Sequence, residues 1–165
     1  PFIYIVEPGR LYLHPEEITA LRAYLNNGGF LMLDDFWGDA AWNNVARVFK
    51  QVFPERNFTE LPLDHPMYRS VFPITEKGQV PNISVGSSSR YTGVTWETNH
   101  DGDTRTVHHR AILDDKGRIM VFAAHNTLFS RALSGLVASA AAPMPSNDSC
   151  TRPAARSSAA GAPPL

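Results

Sequence analysis

The sequence predicts an α/β domain: a mainly parallel sheet flanked by helices, with an antiparallel hairpin portion. Three observations carry this. Two apolar runs, residues 2–6 and 30–33, are each followed by a stretch whose apolar residues recur at helical spacing. Strand and helix alternate through the first fifty residues, the pattern of a parallel sheet with crossover helices. Two later extended segments, joined by the turn Asp114-Asp115-Lys116-Gly117, read as a hairpin.

The elements follow in order. Phe2-Ile3-Tyr4-Ile5-Val6 is continuous and apolar, as for a strand covered on both faces. Glu7-Pro8-Gly9-Arg10 is a turn signal. Pro15 opens a helix, where its missing N–H leaves no bond unmade, and Glu16 and Glu17 favour the positive end of the dipole. Ile18, Leu21, Tyr24 and Leu25 form that helix's apolar stripe, Gly28 suits a left-handed end, and Gly29 adds freedom before the strand at 30–33. Trp42, Val45, Ala46, Phe49 and Phe53 mark a second helix stopped by Pro54. A strand is expected at 58–61, a turn at 63–68 and a short extended piece at 72–74. Residues 76–90, rich in Gly, Ser, Asn and Pro, predict an irregular excursion. Strands are expected within 105–113 and at 119–124.

A chain of 165 residues has room for one ordinary domain with a buried core. The net charge of -1 gives no basic footprint for nucleic acid. No run of about 18 apolar residues is present to span a bilayer. The single cysteine, Cys150, forms no internal disulfide, and no zinc or redox motif exists, so no metal and no cofactor are expected. The chain opens without methionine inside a core strand, which reads as a start that has lost what precedes it. From about Ala138 the composition turns to Ala, Ser, Pro, Gly and Arg, too poor in apolar periodicity to offset its ordering entropy. A disordered tail and an out-of-frame translation both fit that stretch.

The chemistry concentrates where the strand after Gly28-Gly29 runs into Asp34-Asp35-Phe36-Trp37-Gly38-Asp39. Open α/β sheets place ligand crevices at the carboxyl ends of their strands. Alternation sends Asp34 and Asp35 to opposite faces unless the turn redirects one. Asp39 is expected to cap the following helix, and Asp35 to stand nearest the crevice. Trp37 reads as a packing aromatic or as a platform for a ligand. Asp64-His65-Pro66 reads as an Asx-type turn, or with His65 as a proton-transfer group. His108 and His109 face opposite sides of their strand, and His125 stands at a strand's carboxyl end.

Several of these segments together resemble the domain of unknown function 4159, a bacterial family of the class I glutamine amidotransferase-like superfamily. The residues that carry the resemblance are Pro1-Phe2-Ile3-Tyr4, residues 21–31, Asp34-Asp35-Phe36-Trp37-Gly38, Phe53-Pro54, residues 61–66, residues 114–121 and His125-Asn126-Thr127. The resemblance implies a flavodoxin-like sheet, truncated at both ends, with a partial domain over 1–127 and an aberrant tail over 128–165. It also implies a larger, envelope-associated protein, with location otherwise open.

Glutaminase chemistry needs a thiolate on a tight strand-to-helix turn. Here that strand end carries Asp34 and Asp35, so glutaminase activity is not expected. The reading adopted is a module that binds a small ligand or a protein partner through Asp34, Asp35, Trp37, His65 and His125. The rival is a metal-dependent hydrolase using Asp34 or Asp35 with His65 or His125, since carboxylate and imidazole suit Mn, Zn or Fe. A purely structural domain is the third alternative.

Overall fold

The computed structural model describes residues 1–129; the rest of the expected tail, Cys150 included, lies outside the described residues. Five strands form one sheet: β1 (Phe2–Val6), β2 (Phe30–Phe36), β3 (Thr59–Glu60), β4 (His108–Leu113) and β5 (Ile119–His125), in the order β1-β2-β5-β4-β3. β1 pairs parallel with β2 and β2 with β5, whereas β4 lies antiparallel to β5 and β3 antiparallel to β4. The sheet is therefore mixed. The expected hairpin supplies one antiparallel pair, and β3, only two residues long, adds the other.

Helix α1 (Pro15–Asn26) begins at the expected proline, and Glu17 Oε2 accepts the His14 N–H at 2.7 Å. It ends through Gly28, whose φ of 92° favours glycine. Gly29 is needed for a different reason from the expected freedom. The Tyr24 ring lies against it, and a Cβ there would sit 2.4 Å from that ring. Helix α2 (Gly38–Val52) starts four residues earlier than its apolar stripe suggests. Leu25 of α1 and Val45, Phe49 and Val52 of α2 pack with Leu31, Leu33, Ile112, Val121 and Ala123, so both helices cover one face. The other face is covered by the segment after β3. Leu61 and Tyr68 pack there on Ala111, Phe122, Ala124 and Phe129.

Residues 76–90 are not wholly irregular. They run into a helix, α3 (Ile83–Thr92), with Asn82 accepting from Ser84 N–H and Val85 N–H and Gly93 closing it at φ 70°. None of its residues is buried, so no apolar stripe marks it in the sequence. The extended piece expected at 72–74 forms no strand. Among the described residues no helix is long and apolar enough to cross a membrane.

Candidate functional site

The parallel strands β1, β2 and β5 end on one side of the molecule, and the chemistry gathers there. Between Leu33 and Phe36 two residues of β2 stand against one of β5, a bulge that gives Asp35 a φ of 57°. A non-glycine residue in this left-handed region carries strain of about 1 kcal/mol or more. The bulge separates the two acids as alternation predicts. Asp34 is fully buried: its Oδ2 accepts Tyr4 Oη–H at 2.7 Å, and its Oδ1 accepts Phe129 N–H at 2.7 Å. It ties β1 to the chain after β5, which is a structural task.

Asp35 is only partly buried. Trp37 Nε1–H donates to its Oδ1 at 3.1 Å, and its Oδ2 has no partner among the described residues. Burial raises the Asp35 pKa; the indole bond opposes this, and the charges of Glu97, Asp34 and Glu7 push it further up. Trp37 itself is buried at 3 % exposure, so its visible task is to orient Asp35 rather than to offer a ring face.

Asp39 does not cap α2. Trp37 occupies the cap position, and the first helical N–H groups are met by the loop before β4 and by Asn126. Gly38 N–H donates to Asn126 Oδ1 at 2.9 Å and Asp39 N–H to Asp101 O at 2.9 Å. Asp39 sits in the first turn, at the favourable dipole end, and its Oδ2 accepts Asp103 N–H. Asn126, buried and at φ 62°, also donates through Nδ2 to Asp103 O and Thr106 O. Gln79 Nε2 donates to Thr104 O and Asn126 O, and Thr127 Oγ1 to Gly78 O. These bonds clamp two loops over the strand ends.

His125 is buried beneath the start of α2, with its ring stacked on Phe36, Trp42 and His108. Its Nδ1 accepts from the Arg110 guanidinium at 3.2 Å, which places the ring proton on Nε2, 3.0 Å from Gly38 O. Burial lowers its pKa to about 4, with Arg110 and His108 contributing, so it is neutral at pH 7. His65 stands elsewhere, at the start of the 3-10 turn Pro66–Arg69. There its Nδ1, and not Asp64, accepts the Met67 N–H. Among the described residues no hydrogen bond, ion pair or ring contact joins His65 to Asp34, Asp35 or His125. Nor does any group of three His, Cys, Asp or Glu side chains come together to hold a metal ion.

A further polar cluster, which no local sequence pattern marks, forms at the β3–β4 edge. Glu60 of β3 accepts from Lys77 Nζ and from His108 Nδ1–H at 3.1 Å and pairs with the Arg110 guanidinium, whose Nε is 3.3 Å away; that guanidinium lies 3.9 Å above the Trp42 ring. His108 thus faces the helix side with its Nε2 unengaged among the described residues. On the opposite side His109 is fully buried, 2.8 Å from Tyr68 Oη, its pKa lowered by burial to about 4. The split between the two histidines follows from strand alternation. Glu60 carries no local signal, because antiparallel pairing brings it to β4 from fifty residues away.

The family model described as Domain of unknown function (DUF4159) matches residues 1–153. No curated protein matches the chain.

Proposed function

This chain belongs to the domain of unknown function 4159 family, and we propose that it is a ligand-binding module of a larger bacterial protein. In this reading the fold is amidotransferase-like and glutaminase activity is absent, because the strained strand end carries a carboxylate where acyl transfer needs a thiolate. The observation that carries the proposal is Asp35. It is partly buried and backbone-strained, one oxygen is held by Trp37, and the other lacks a partner among the described residues. Strain of this kind persists where the surrounding structure over-determines it, and it clusters at ligand clamps.

The ligand class follows from the charge. Asp35 lies within electrostatic reach of Glu97, Asp34 and Glu7, so an anion is disfavoured. A hydrogen-bond donor, above all an ammonium or guanidinium group, supplies both the missing partner and the counter-charge. His65 lies apart from this site, and His125 supports it from beneath through Gly38 O.

The test is an NMR titration of the full chain with methylguanidine and spermidine, followed on the Trp37 indole N–H. Saturable shifts in the wild type, lost in Asp35→Asn, are expected. Shifts equal in the two proteins would dismiss Asp35 as the binding group. Stoichiometric retention of Zn or Mn, lost on Asp35→Ala, would instead favour metal-dependent hydrolysis.

A further inference from the structure

A cavity of about 180 Å³ opens on the helix-covered face, between α2 and the β3–β4 edge, away from the strand ends. Its walls are apolar. Trp42, Ala46 and Phe49 stand at i, i+4 and i+7 along α2 and so share one helix face, with Phe58 before β3 and Ile112 of β4 opposite them. Phe58 meets both Trp42 and Phe49 edge-on, at centroid distances of 5.2 and 5.5 Å. The volume is close to that of the engineered apolar cavity of about 150 Å³ that holds one benzene molecule. It suits a single ring.

The remaining lining is polar, made by Lys50, Arg56 and Asn57. Lys50 reaches Pro54 O and Arg56 O, at 3.1 and 2.9 Å, but no carboxylate lies within ion-pair distance of it among the described residues. Arg56 donates from Nη1 to Leu113 O and from Nη2 to Asp115 Oδ1. Its Nε is buried and has no acceptor; the nearest carboxylate oxygen, on Glu55, is 3.9 Å away. A buried donor on a charged group left without a partner is destabilising, and a carboxylate that reaches it forms a charge-assisted bond.

We propose that this cavity is a binding site for a small aromatic carboxylate, its ring packed on the Trp42, Phe49 and Phe58 wall and its carboxylate drawn to Lys50 and the Arg56 guanidinium. Both requirements have to be met together. A neutral ring fills the walls but brings no counter-charge to Lys50, and a free carboxylate without a ring forgoes the apolar burial. The site shares no residue with the Asp35 proposal.

The experiment uses the full chain with benzoate as probe, compared with benzyl alcohol and with acetate. Binding is read by calorimetry and on the Arg56 Nε–H resonance. Benzoate is expected to bind at least tenfold more tightly than either comparison and to shift that resonance. Ala46→Leu fills the cavity from the helix side and is expected to weaken benzoate at least tenfold. Lys50→Met, which leaves the cavity open, is expected to narrow the preference for benzoate over benzyl alcohol. Asp35→Asn leaves benzoate binding unchanged, so the two sites fail or stand separately. Equal affinity for benzoate and benzyl alcohol, an unmoved Arg56 Nε–H, or full benzoate binding by Ala46→Leu overturns the proposal.

Discussion

Acidification from about pH 7.5 to about pH 5 is expected to remove roughly 4 kcal/mol of stability, through two buried histidines. His109 and His125 are almost wholly shielded from solvent, and each has its pKa lowered from 6.5 to about 4, chiefly by burial. A depressed pKa means that the unfolded chain binds the proton more readily than the native one. Stability from each histidine is therefore complete above pH 6.5 and falls as the pH drops from there toward 4. At about pH 5 the unfolded imidazole is almost fully protonated and the native one mostly not, a difference of about 2 kcal/mol for each. The lowered carboxylates, Glu60, Asp103 and Asp114, act further down in pH. Asp35, whose pKa is raised, opposes the loss slightly. Urea denaturation at the two pH values reads the effect: with a slope of about 2 kcal/mol/M the midpoint moves down by about 2 M. In His109→Phe the pH-dependent loss should halve, whatever the variant's absolute stability. A midpoint unchanged between the two pH values, or an undiminished loss in His109→Phe, would refute the claim that these rings are buried and neutral.

Three substitutions test the scaffold around the site. Asn126→Ala strands the buried Gly38 N–H and puts a Cβ-bearing residue at φ 62° without a side chain to compensate, so denaturation should show a loss of about 2–4 kcal/mol. Asn126→Gly removes only the backbone part and should recover about 1 kcal/mol of this. Gly29→Ala presses its methyl against the Tyr24 ring and should lower stability by about 1–3 kcal/mol, with the loss reduced in a Tyr24→Leu background. Glu60→Gln removes the charge facing Lys77, His108 and Arg110, yet the side chain is 42 % exposed, so the midpoint should change by less than about 1 kcal/mol.

Legibility followed the range of the interaction. α1, the Gly28 turn, the β4–β5 hairpin and the opposite facing of His108 and His109 rest on local periodicity or turn chemistry, and the structure has each of them. β1 also forms, but at the sheet edge and largely exposed (Phe2 60 %, Val6 46 %), not covered on both faces as its apolar run predicts. α3 lacks a buried stripe and is set by its two caps, so composition alone suggested a loop. α2 starts four residues before its apolar stripe because its first N–H groups are met from Asn126 and Asp101, far along the chain. That same long-range supply explains why Asp39 is not the cap. Asp35 was readable as the outward acid, but the bulge behind its strain depends on β5, which the sequence places ninety residues later. The Glu60 cluster and the cavity beside Arg56 come from β3–β4 pairing and are invisible locally.

In the proposed function Asp35 is kept strained and partly desolvated in order to bind a donor-bearing ligand. Asp35→Asn measures this in one protein. The amide tolerates the left-handed backbone and retains an oxygen for Trp37 Nε1–H, while losing the charge that burial, Glu97, Asp34 and Glu7 disfavour. Urea denaturation at neutral pH should show the variant more stable, by up to about 1 kcal/mol. The methylguanidine response should vanish from the same sample. A variant that is less stable than wild type and still binds methylguanidine would show that Asp35 is a structural acid and not the binding group.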